Sequence, residues 1–319
     1  MIKNTSPENP VISLVVPMFN ESEVLSAFFA RVEGVMNGLG ESYEIICVND
    51  GSSDDTLERL VAERESDSRI KIVDLSRNFG KELALTAGID CALGDAVIPI
   101  DADLQDPPEI IPDMVAKWRD GYEVVLAVRE DRSVDSFLKR NSANWFYSVM
   151  ARLGEIPIPS NAGDFRLMDR KVVESLKLVR ERTRFMKGLF AWLGYKTAVI
   201  HFTREKRVAG ESAWKYWKLW NFALEGVVSF SSIPLRIWSY LGVFTSFAAL
   251  VYMLVIVTRT LILGVDVPGY ASLLVVILFF SGINLICLGV IGEYLGRIFI
   301  EVKQRPLYLV RETYGIKSE

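Results

Sequence analysis

Residues 97–109 read VIPIDADLQDPPE. A short, mostly apolar run leads into Asp101, Asp103 and Asp106, and Pro107 and Pro108 then close it. Such a run bounded by turn residues fits a buried strand. Proline cannot donate to a strand ladder, so the strand stops there, and Glu109 opens the helical phrase EIIPDMVAKWRDG. Three carboxylates are thus delivered where a strand leaves the core.

The same grammar runs upstream. VISLVVPMFNE is a β-branched run closing near Pro17, and SEVLSAFFARVEGVM follows with helical spacing and Ser22 as its expected cap. YEIICVNDGSSDDT then LERLVAERE, and IKIVDLS then GKELALTAGIDCALG, repeat the pair before AVIPIDAD begins. Strands alternating with helices predict an α/β domain with a mainly parallel sheet covered on both faces. Ligands of such sheets bind at the carboxyl ends of the strands, where Asn20, Glu21, Asp50 and the Asp101 cluster all fall.

Composition adds a membrane. The 319 residues are 50% hydrophobic, too apolar for an ordinary soluble enzyme unless the excess is concentrated. It is concentrated in Ile237–Thr258 and Ala271–Gly292, two uncharged runs of about 22 residues, each long enough to span a bilayer. Lys206, Arg207, Lys215, Lys218 and Arg236 precede the first run, and Arg297, Lys303, Arg305 and Arg311 follow the second. Between them stand only Arg259 and Asp266, so the positive-inside tendency puts both ends in the cytoplasm. Before the first run, AWKYWKLWNFALEGVVSF interleaves rings with lysines, as an amphipathic helix lying in the interface would.

Other classes are excluded. A net charge of -4 without an isolated basic tract argues against nucleic acid as a partner. The opening MIKNTSPENP has no apolar core of signal-peptide length, so export of the large domain is not expected. Cys47, Cys91 and Cys287 lack C-x-x-C spacing and read as packing residues. A single histidine, His201, rules out a His-rich zinc site within one chain and reads as a surface or strand residue.

At the end of a strand, Asp101 and Asp103 are spaced to point to the same side and can share a hard cation, Mg²⁺ or Mn²⁺. Gln105 would add a neutral oxygen or orient a bound water, although acidic turn chemistry alone also explains aspartates in a loop. Asp50, followed by Gly51, can accept hydrogen bonds from a ribose or a base. No G-x-G-x-x-G follows the first strand, where PMFNES stands, which disfavours a nicotinamide or flavin domain.

Taken in order, VVPMFNE, VNDGSSDDT, LSRNFGKELALTAG, IDADLQDPPE, GDFRLMDR, RTRFMKGLFAWLGY and GVIGEYLGRIFIEVKQRPLY cover nearly the whole chain. Together they resemble family 2 glycosyltransferases of the polyprenyl-phosphate type, bactoprenol (undecaprenyl-phosphate) glucosyltransferases above all, with dolichol-phosphate mannose synthases more distant. The resemblance implies a GT-A catalytic domain, a divalent metal, UDP-glucose as donor, a polyprenyl phosphate as acceptor and inversion at the anomeric carbon. It places Pro17, Asn20, Glu21 and Asp50 around the nucleoside, and Asp101, Asp103 and Gln105 at the metal and diphosphate. Arg129 and Arg207 would meet the donor diphosphate or the acceptor phosphate. Asp164 would stand near the reacting sugar, its structural alternative being a buried cap for the following helix. The Q-x-x-R-W phrase of processive synthases is absent, which points to one sugar per lipid.

The expected organisation is a cytoplasmic catalytic domain over residues 1–210, interfacial helices over 211–236, and two transmembrane helices within 237–295 at about 237–260 and 270–293. A cytoplasmic tail over 296–319 completes it. The resemblance further implies a bacterial inner membrane, a homo-oligomer such as a tetramer, and a separate flippase downstream. The competing readings are the same reaction with another donor such as GDP-mannose, and a non-catalytic membrane scaffold. Two spans leave little room for a transport path, so a flippase activity of this chain itself is not expected.

Overall fold

A computed structural model describes residues 10–129, 162–182, 186–203, 233–263 and 269–316. The first strands are β1 (Ile12–Met18), β2 (Tyr43–Asn49), β3 (Ile70–Leu75) and β4 (Ala96–Pro99). They alternate with the helices α1 (Leu25–Leu39), α2 (Thr56–Ser66) and α3 (Lys81–Cys91). A short 3₁₀ turn at Pro108–Ile110 leads into α4 (Ile111–Arg119). Then come β5 (Val124–Arg129), β6 (Ala162–Asp169), α5 (Arg170–Leu178), α6 (Met186–Trp192) and β7 (Thr197–Phe202). Two long helices, α7 (Ile233–Leu263) and α8 (Tyr270–Val302), precede the last strand, β8 (Val310–Tyr314).

The eight strands form one sheet in the order β7-β5-β6-β4-β1-β2-β3-β8. Its centre is parallel: β4, β1, β2 and β3 lie side by side in that sense. The sheet is mostly parallel, as expected, with β5 and β7 also parallel, and it is mixed because β6 runs antiparallel to both β4 and β5, and β8 antiparallel to β3. Strand order grows from β1 through β2 to β3 and then reverses to place β4 on the other side of β1. At such a switch point the neighbouring connections leave to opposite faces and open a crevice beyond the strands' carboxyl ends.

Alternation along the strands feeds two cores. Leu14, Val16, Ile45 and Cys47 face one, where Phe28, Phe29 and Val32 of α1, Leu60 of α2 and Met114 of α4 close over them. Val15, Ile46 and Val48 face the other, under Leu85 of α3, Val173 of α5 and Leu189 of α6. Each large side chain buried in this way contributes roughly 1.5–3 kcal/mol. Helix α3 comes very close to the sheet at Gly88, where a Cβ would sit 2.3 Å from a methyl of Val15.

Ser22 does not cap α1: the helix starts at Leu25 after Val24, and no side chain caps its first turn. The Ser22 amide instead donates to Asp54 Oδ2 at 3.3 Å. Cys47 is buried in β2, and His201 lies exposed on β7, as their surroundings in the sequence predicted.

Both predicted spans are helical, but among the described residues one segment, Phe279–Val302 of α8, is long and apolar enough to cross a membrane. That fits a membrane-associated protein and leaves the two-helix hairpin as an expectation. Helix α8 runs on to Val302, and the chain after it returns to the catalytic sheet as β8. Arg311 donates to Ser76 O at 2.7 Å and to the buried Asp74 at 3.3 Å, and Arg182 pairs with Glu301 at 3.5 Å. The tail is therefore part of the catalytic domain's edge. Of the interfacial helices expected over 211–236, the part up to residue 232 lies outside the described residues, as does Arg207.

Candidate active site

Three loops meet at the switch point. After β1, Asn20 takes a left-handed conformation at φ 55°, which lets its side chain accept the Ser53 amide at 2.8 Å while its own amide donates to Ser52 Oγ at 3.0 Å. The Glu21 amide donates to Thr56 Oγ1 at 3.0 Å. Pro17, partly buried, sits one residue before the end of β1. The first loop is thus stitched to the loop after β2, and both frame the crevice.

Asp50 follows β2 and is buried. Its Oδ1 accepts the Phe79 amide at 2.7 Å and its Oδ2 the Gly80 amide at 2.9 Å. Burial lifts its carboxyl above the ordinary range against the pull of these amides and of Arg77. Gly51 turns the chain at φ 65°, and a Cβ there would lie 2.5 Å from the carbonyl carbon of Arg77. Asp50 therefore pins the turn that opens α3.

That turn delivers Lys81, whose ammonium lies 2.7 Å from Asp101 Oδ1 and 2.9 Å from Asp164 Oδ2. Burial opposes its charge, but the two carboxylates outweigh that and hold its pKa above the ordinary value. Asp164 arrives because β6 is antiparallel to β4, with Val97 opposite Met168. Continuing that register four residues along each strand, Val97 to Asp101 and Met168 to Asp164, sets the two aspartates opposite each other. Asp164 does not cap the next helix; Asp169 does, accepting the Lys171 amide at 3.0 Å.

Beyond Asp101 the chain turns sharply, Leu104 standing at φ 55°. Asp103 Oδ1 accepts the Gln105 amide at 3.1 Å. Asp106 is buried and stands 3.5 Å from the guanidinium of Arg129 at the end of β5. Beneath Asp164, the buried Arg166 donates to Gly163 O at 2.7 Å and lies 3.9 Å from the ring centroid of Phe190. Burial pulls its pKa down to about 10, with Asp164 and Glu82 opposing the fall.

Among the described residues no three His, Cys, Asp or Glu side chains form a cation cage by themselves. Asp101, Asp103 and Gln105 nonetheless offer an oxygen-only donor set, which fits a hard divalent ion that completes its shell with waters and phosphate oxygens. The structure brings Asp101, Asp103, Gln105, Asp164 and Arg129 to one end of the sheet, with Asn20, Glu21 and Asp50 on the neighbouring loops. Lys81 and Arg166 were not singled out from the sequence. Lys81 owes its place to partners remote in the chain, so only strand order reveals it.

The mostly parallel α/β sheet, with acidic residues at its switch point, is GT-A-like. The chain belongs to glycosyl transferase family 2, whose model matches residues 13–177. It is 58% identical over 306 residues to an uncharacterized glycosyltransferase of Synechocystis, covering 96% of each chain. It is 50% identical over 303 residues to a prophage-derived bactoprenol glucosyl transferase of Shigella flexneri, covering 95% of this chain and 98% of that one. A prophage bactoprenol glucosyl transferase homolog of Escherichia coli is 49% identical over 300 residues, covering 94% and 98%.

Proposed function

We propose that this enzyme transfers glucose from UDP-glucose to a polyprenyl phosphate, undecaprenyl phosphate in a bacterial membrane, with inversion and with a divalent ion present. The observation that carries this reading is the likeness to the Shigella flexneri bactoprenol glucosyl transferase along nearly the whole of both chains. The anchor is a two-helix hairpin formed by α7 and α8, with the catalytic domain and both termini on the cytoplasmic side, in keeping with the basic residues flanking the two apolar runs. Assembly as a homo-oligomer and hand-over of the product to a flippase belong to the same reading.

Pro17, Asn20, Glu21 and Asp50 line the nucleoside end of the crevice. Asp101, Asp103 and Gln105 would hold the divalent ion, which offsets charge on the departing diphosphate. Arg129, with Arg207, meets the phosphates of donor or acceptor. A phosphomonoester has a second pKa near 6, so the lipid acceptor is largely anionic at neutral pH and needs little deprotonation. Asp164, already paired with Lys81, orients the reacting groups and is not required to abstract a proton.

The test offers UDP-glucose, UDP-galactose, UDP-N-acetylglucosamine and GDP-mannose, each radiolabelled, to the purified protein with undecaprenyl phosphate, with magnesium or with chelator. A chloroform-soluble, acid-labile product from UDP-glucose, lost on chelation, is the expected result. Preference for GDP-mannose overturns the donor assignment, and no lipid product from any donor overturns the reaction.

A further inference from the structure

The cation already present in the acidic cluster is a side chain. Lys81 Nζ approaches both oxygens of Asp101, at 2.7 and 2.8 Å, and reaches Asp164 at 2.9 Å. Two residues on, Asp103 accepts the Gln105 amide. The lysine is not a loose surface group. Gly80 turns the backbone at φ 96°, and Asp50 holds the Phe79 and Gly80 amides, so a residue from β2 fixes where the ammonium starts. Yet 46% of the Lys81 side chain and 33% of Asp101 remain exposed, within reach of an incoming ion and diphosphate.

We propose that Lys81 is a resident cation that competes with the divalent ion for Asp101 while holding Asp164 in position. The inference deepens the metal-dependent transfer proposed above and rests on it. Its physical basis is charge: a fixed unit charge in contact with Asp101 both neutralises a ligand and repels a second cation. The consequence is a site that binds a bare metal weakly and strengthens when a diphosphate supplies further oxygens, so that ion and nucleotide arrive and leave together. Lys81 acts here as a positioning residue.

The test is Mn²⁺ binding to the full-length protein in detergent, read from the free Mn²⁺ resonance signal, with and without UDP. Lys81→Ala and Lys81→Gln are expected to bind Mn²⁺ alone about tenfold more tightly than wild type, the Coulomb effect being reduced by the partly exposed setting. Lys81→Arg keeps the charge and stays within about twofold. The double variant Lys81→Gln/Asp101→Asn loses the gain. Turnover gives a second readout: kcat falls in Lys81→Gln, as Asp164 loses its partner, while KM for the donor changes by less.

Unchanged or weaker Mn²⁺ binding in both uncharged variants, with wild type binding normally, overturns the role of Lys81 and leaves metal-dependent transfer standing. A gain that survives Asp101→Asn overturns competition through Asp101. Binding by the variants, but by wild type neither alone nor with UDP, supports the resident cation while overturning metal dependence of the natural enzyme. No Mn²⁺ binding by any protein, with or without UDP, overturns both.

Discussion

The sheet carries a lysine–carboxylate cluster at each of its ends, and the two behave differently. At the amino ends of the central strands, Glu44 accepts from Ser13 Oγ at 2.5 Å and from the Leu93 amide at 2.8 Å, and pairs with Lys71. The side chains of Glu44 and Lys71 are 1% and 8% exposed. At the carboxyl ends, Lys81 joins Asp101 and Asp164 with nearly half of its side chain open to the crevice. Sealing makes the first pair a fixed part of the fold, since removing either partner strands a buried charge. Openness leaves the second able to exchange partners with an incoming ligand.

Three substitutions break or sharpen that contrast. Asp103→Ala acts at the open end, where loss of the proposed metal ligand would be worth several kcal/mol of transition-state stabilisation. Transfer should fall about 10³-fold with little change in melting temperature. Full glucosyl transfer by this variant in magnesium buffer would falsify the role of the acidic cluster. Lys71→Ala acts at the sealed end and should cost about 3 kcal/mol, read as a melting midpoint lower by roughly 10 °C. The folded fraction should keep the wild-type KM for the donor. A variant as stable as wild type would mean that the buried charge finds another partner.

Gly51→Ala is the smallest of the three. It forces a Cβ into a left-handed position against the backbone of Arg77. A cost of about 2 kcal/mol is expected, together with a raised KM for the nucleotide sugar, because Asp50 and the turn before Lys81 move with the loop. A stability loss with an unchanged KM would separate this loop from the donor.

Much of the site was legible because its signals are local. VIPIDADLQDPPE announces its strand, its acidic turn and its stop within thirteen letters, and the structure keeps each of them. The same holds for Asp50 at the end of β2. Local reading left two roles open for Asp164, and the structure gives the capping one to Asp169, at the start of α5. It also missed Ser22, whose amide is taken by Asp54 from another loop.

By itself, the sequence determined the α/β alternation, the two apolar runs near the carboxyl terminus and the acidic cluster, since all of these rest on periodicity and spacing within a few residues. Only the tertiary structure decided the antiparallel entry of β6, the return of the tail as β8 and the capture of Asp101 and Asp164 by Lys81. Strand partners are chosen by cores and crossovers that join distant segments. For that reason, a lysine at position 81 acquires its chemistry only once β4 and β6 lie side by side.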